Sequence, residues 1–181
     1  MTAGNLSVDS KSDIIILILK DNPIKGVTRL EKLVFLLLEE GGFKKKLKDG
    51  GFVFKPYRMG PFSSDIYDQV DFLMDIGILR VRTTKEEIKE DDMEREDLEN
   101  HMKITGDEEI DTKSNLTYCL TAKGREIATK LEKSLSENEK NQLGMVKSLS
   151  RTSLFSLLNY VYSRYQEFTT KSEIKGSLGL K

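Results

Sequence analysis

The chain has 181 residues, 38% hydrophobic and 33% charged, with 29 Lys+Arg against 30 Asp+Glu and a formal net charge of −1. That size supports one medium domain with a real core, and the apolar fraction excludes a disordered chain. The balanced charge gives no global attraction to nucleic acid or an anionic membrane. The longest apolar run, Ile14–Leu19, has six residues against the ~18 of a spanning helix, and no basic start leads into an apolar stretch. The single cysteine, Cys119, excludes an internal disulfide framework and a multi-thiolate metal site. These features predict a cytoplasmic, α-rich chain with no membrane partner.

Asp13–Lys20 is almost continuously apolar and reads as a helix buried on most sides, or as a strand because of its isoleucines. Thr28-Arg-Leu-Glu31 has the pattern of a capping box. Leu30, Leu33, Val34, Leu37 and Leu38 then form a core-facing helical stripe that Gly41-Gly42 ends. Phe52-Val-Phe-Lys55 alternates and stops at Pro56, a short strand, and Met59–Ser63 is a turn. Ser63 is the expected N-cap of a third helix, with Phe62 and Tyr67 as a hydrophobic staple and Ile66, Val70 and Leu73 inward. Ile78–Arg82 and Leu116–Leu120 read as strands on either side of Thr84–Lys113. That block holds thirteen acids and five bases, a net −8 that leaves +7 for the rest. So dense a charge stays solvated, as a protruding loop or a charged helix. Thr121 caps a helix running to about Ser134, with Ile127 and Leu131 inward. Glu137–Leu149 and Leu154–Tyr165 are helical by pattern.

The predicted fold is α+β, mostly α: a winged-helix-like domain over residues 12–134 with a small antiparallel sheet and an acidic insertion at 84–113. A flexible N-terminus covers 1–11, a C-terminal helical extension 135–175, and a frayed tail 176–181.

Gly26-Val-Thr-Arg-Leu-Glu-Lys-Leu-Val-Phe-Leu-Leu37, followed by Phe52-Val-Phe-Lys-Pro-Tyr-Arg-Met-Gly-Pro-Phe-Ser63 and closed by Leu158-Asn-Tyr-Val-Tyr-Ser-Arg-Tyr-Gln-Glu-Phe-Thr-Thr-Lys-Ser172, carries a resemblance. The chain resembles the YwgA-like family and, more distantly, the Panacea (SocA-like antitoxin) domains. The resemblance implies a winged-helix-type fold with no known catalytic residues. Through the Panacea domains it implies neutralisation of a protein toxin.

A winged helix suggests DNA binding through its third helix. Here that helix, residues 63–76, holds Asp65, Asp68, Asp71 and Asp75 and no Lys or Arg, so phosphate rows would repel it. The 22 residues from Gly41 to Phe62 also exceed the tight turn of a helix-turn-helix. DNA contact by another route would use Lys44, Lys45 and Lys46, or Arg80 and Arg82 on a strand. Their bland reading is solvated surface charge. Tyr57 and Arg58, between two prolines, are anchor residue types for a protein partner, and their bland reading is a packed corner. His101 stands four residues after Asp97, a spacing that two metal ligands share with ordinary solvated side chains, and no calcium-loop motif is present. Cys119 has no neighbouring base, and no catalytic constellation can be assembled. The expected function is therefore a non-enzymatic regulatory module, without metal or cofactor, that binds a protein partner through Tyr57, Arg58, Asp65, Asp68 and Asp71. A winged-helix transcriptional regulator is the alternative. The Leu154–Tyr165 stripe reads as intrachain packing or as a homodimer interface.

Overall fold

A computed structural model describes residues 6–83, 116–172, 174, 176 and 178. The expectations for the acidic block and His101 lie outside the described residues. Those described form helices α1 (Lys11–Ile18), α2 (Val27–Glu39), α3 (Ser64–Asp75), α4 (Ala122–Lys133), α5 (Glu137–Ser148) and α6 (Leu154–Arg164). The strands are β1 (Ile24–Lys25), β2 (Lys55–Tyr57), β3 (Gly60–Phe62), β4 (Leu79–Thr83) and β5 (Leu116–Leu120). The architecture is α+β and mostly helical, with two small antiparallel sheets. Among the described residues no helix is long and apolar enough to cross a membrane.

α1 is a helix because Ser10 and Asp13 close a reciprocal capping box before it, and Ile14 to Ile18 are all buried. Val8 is buried ahead of this cap, and the Lys48 N–H donates to the Asp9 carbonyl, tying residues 8–9 to the fold.

α2 corrects the sequence expectation in two ways. The Thr28–Glu31 capping box does not form. Gly26 takes the N-cap position at φ +82°, a conformation glycine adopts without strain, and no side chain caps the helix. The apolar stripe is buried as predicted, but so are Thr28, Glu31, Lys32, Phe35 and Leu36. α1, α5, α6 and β3 surround the helix, leaving it no solvated face along most of its length. Arg29 reaches the rim, donating to the carbonyls of Ser150 and Thr152, and Glu39 is exposed at the helix end.

The strand predicted at Phe52–Lys55 begins three residues later, at Lys55, and runs through Pro56 instead of stopping there, and the predicted turn is its partner. β2 pairs with β3 in a hairpin that sets Lys55 opposite Phe62, Pro56 opposite Pro61 and Tyr57 opposite Gly60. An antiparallel ladder alternates bonded and non-bonded pairs, so two facing prolines, neither able to donate, fit a non-bonded site.

The second sheet has the order β1-β5-β4, with β5 central. Ile24 lies opposite Tyr118 on one side, and Val81 opposite Tyr118 on the other. Thr121 caps α4 as expected by accepting the Gly124 N–H at 3.2 Å. Ser136 and Glu139 close a capping box before α5, and Ser153 caps α6. Both helices pack on α2, so the predicted extension completes the core. The Leu154–Tyr165 stripe is spent in the same way: Leu157, Leu158 and Val161 are buried, and the Tyr165 ring meets Phe35 edge-on at 4.8 Å. The frayed tail expected at 176–181 lies mostly outside the described residues, but Leu178 within it is buried.

Candidate interaction face

The two conspicuous motifs meet in the interior. Lys32 Nζ donates to Glu31 Oε2 at 2.7 Å and to the Pro61 carbonyl at 2.8 Å, while Glu31 Oε1 accepts the Ser63 N–H at 3.0 Å. Both side chains are buried. Burial pushes the Glu31 carboxyl above its ordinary range and the Lys32 ammonium below its own, each opposed by the partner's charge. The pair thus fixes β3 and the first turn of α3 on α2. Ser63 is the N-cap by position, but its side chain makes no capping bond: its hydroxyl donates to Asp65 Oδ2 at 3.3 Å, while Glu31 accepts its backbone N–H.

Tyr57 and Arg58 lie half-buried on the same hairpin. The Tyr57 ring packs on Phe62 at 4.8 Å, and Phe62 packs on Tyr67 at 5.6 Å, which is the predicted staple. The Arg58 guanidinium lies 5.5 Å from the Tyr57 ring. Gly60 closes the corner at φ +85°, where a Cβ would stand 2.9 Å from Tyr162 Cε2. The motif therefore shapes a corner.

α3 splits its four carboxylates between two duties. Asp65 is half-buried and spent within the chain: it accepts the Val53 N–H at 3.1 Å and pairs with Lys11 at 3.2 Å. Desolvation works against its charge, yet these two partners hold its carboxyl below the usual range. Asp71 is half-buried and its charge reaches Tyr118, whose phenol is pushed up chiefly by burial. Asp68 and Asp75 are exposed. Beside them the sequence reading missed Phe72, 50% exposed, and Ile76 just past the helix end, 43% exposed. Their signal was present, since both fall off the Ile66, Val70, Leu73 stripe at a spacing of i, i+4.

The cationic candidates stand on separate elements. Lys44, Lys45 and Lys46 form a 3-10 turn pinned by buried Phe43. Lys44 pairs with Glu39 at 2.9 Å and Lys46 with Glu139 at 2.7 Å, while Lys45 is exposed. Arg80 and Arg82 are exposed on β4, opposite Cys119 and Thr117. A further basic surface, absent from the sequence reading, runs along α4: Arg125, Lys130 and Lys133 border a shallow groove of about 440 Å³ with Glu126. Cys119 is buried with its Sγ turned to the Thr117 carbonyl. No three His, Cys, Asp or Glu among the described residues gather into a metal-binding arrangement.

Comparison with protein families, curated proteins and solved structures finds no match to this chain. Its function is therefore argued from its own surface.

Proposed function

We propose that the protein is a non-enzymatic regulatory module of winged-helix type that acts in the cytoplasm by binding a protein partner, in an antitoxin-like or adaptor role. The observation that carries this reading is the solvent side of α3, where Asp68 and Asp75 flank exposed Phe72 and no Lys or Arg occurs on the helix. A helix seated against bases needs donors and cations, and this one offers carboxylates and hydrocarbon. Support for the winged-helix element comes from the succession α1, β1, α2, α3, β4, β5 and the sheet order β1-β5-β4. The β2–β3 hairpin is an addition between the second and third helices. The likeness of Gly26–Leu37 and Phe52–Ser63 to the pattern that the YwgA-like family shares, more distantly, with the Panacea domains supports the antitoxin-like role.

A second reading, DNA binding, rests on Arg80 and Arg82, both exposed on the strand that leads into the acidic segment. Affinity capture of the tagged protein from its native cells, with a nuclease wash, tests the two together with a duplex gel shift at low salt. The protein-binding reading expects a polypeptide retained through the wash and no shift. Capture of nucleic acid before the wash and of no polypeptide after it, with a shift abolished by Arg80→Ala/Arg82→Ala, would overturn it.

A further inference from the structure

We infer that the solvent side of α3 is a docking site for a short basic amphipathic helix, an assignment that rests on the protein-binding reading and names its partner's chemistry. Phe72 and Ile76 lie one turn apart and stay about half-exposed, while Val53, 71% exposed, is held beside the first turn by the bond from its N–H to Asp65. Asp68 and Asp75, seven residues apart, run along one side of the Phe72–Ile76 stripe, so the charge that α3 itself presents there is of one sign, with Lys11 paired to Asp65 at one end and Lys123 donating to the Ile76 carbonyl at the other. The twelve residues of α3 span ~18 Å, room for about three turns of a facing helix.

The face is built in advance. Ile66, Val70 and Leu73 fill the core beneath it, and Glu31 fixes its N-terminal corner, so docking orders little that is not already ordered. Charge selects the occupant. A second copy placed face to face would gather four carboxylates, Asp68 and Asp75 from each chain, with no cation from either helix. Nucleic acid would add phosphates to the same field. A helix with apolar residues at i, i+3 or i+4 and i+7, flanked by Lys or Arg, meets both the hydrocarbon and the charge.

The test is selection of a phage-displayed library of helix-forming peptides, about 15 residues long, on the immobilised full chain. Enriched sequences are expected to be Lys/Arg-rich with the apolar spacing above. Their affinity is expected to fall at least about tenfold on Phe72→Ala or on Asp68→Lys/Asp75→Lys, to survive Phe72→Leu, and to weaken with salt. Circular dichroism melts of the variants, expected to match the parent, show that the loss is local. Acidic winners, no enrichment, or equal binding to all variants would overturn the docking site. The native-cell capture separates the two levels: a polypeptide held equally by parent and Asp68→Lys/Asp75→Lys overturns this site alone, whereas failure to hold any polypeptide overturns the protein-binding reading.

Discussion

Glu31 accepts the backbone N–H of Ser63 at 3.0 Å while its other oxygen holds the Lys32 ammonium at 2.7 Å. One buried carboxylate thus joins the central helix to the start of the helix that carries the candidate face. Removing either member of a buried pair leaves the other charged and without its partner. Glu31→Gln and Lys32→Met are each expected to cost about 3–5 kcal/mol, and the double variant less than their sum. Urea unfolding of the four proteins in a double-mutant cycle measures this, and additive losses would contradict the coupling.

Two glycines should respond in opposite directions to the same change. Gly60 sits at φ +85° and its Cβ would meet the Tyr162 ring, which is 1% exposed and cannot swing aside. Gly60→Ala is expected to destabilise by about 1–3 kcal/mol. Gly144 lies inside α5 with nothing within 4 Å of its Cβ position, so Gly144→Ala should stabilise by about 0.5–1 kcal/mol. Thermal melts of the two variants should shift to either side of the parent.

Asp65 sets an acid limit. Its folded carboxyl is held below the ordinary value by the Val53 N–H and Lys11, against desolvation, so the unfolded chain takes up the proton first as pH falls. The stability it contributes is present above about pH 4 and is lost as pH drops through the lower folded value. Asp65→Asn should lower stability at neutral pH and flatten the acid side of the profile; a parallel offset at every pH would contradict the assignment.

Tyr162 sets an alkaline limit. Burial raises its phenol to about 12, partly offset by the 2.7 Å bond with Ser172. The sign is opposite to that of Asp65: the stabilising contribution is whole below about pH 10 and disappears as pH rises toward the folded value. Tyr118 and Tyr165 are raised by burial as well, Tyr165 also by the Glu40 carboxylate. Phenolate absorbance should therefore lag in the folded protein and rise together with unfolding, and Tyr162→Phe should move that rise to higher pH.

Several elements were legible because their causes are local. Thr121 bonds an amide three residues away, Phe62 meets Tyr67 across one turn, and the Leu30–Leu38 stripe follows from helical period alone. Glu31 was misassigned to Thr28 for the complementary reason. Its true partner is 32 positions distant, and no window along the chain reveals that a tertiary amide outcompetes a nearby one. The same limit hid the second strand of the hairpin, since Pro56 reads as a strand end until Pro61 stands opposite it.

The sequence by itself determined that the segments after the first are helical, where most of them begin, and that α3 bears four carboxylates without a cation, while Asp13–Lys20 stayed open between helix and strand. Only the tertiary structure decided how those carboxylates divide: Asp65 is engaged by Lys11 and the Val53 N–H, while Asp68 and Asp75 stand exposed beside Phe72 and Ile76. Helical period sorts residues into faces through backbone geometry that every helix shares, but a face becomes core or surface only when another element covers it. That coverage is fixed by packing between segments far apart in the chain.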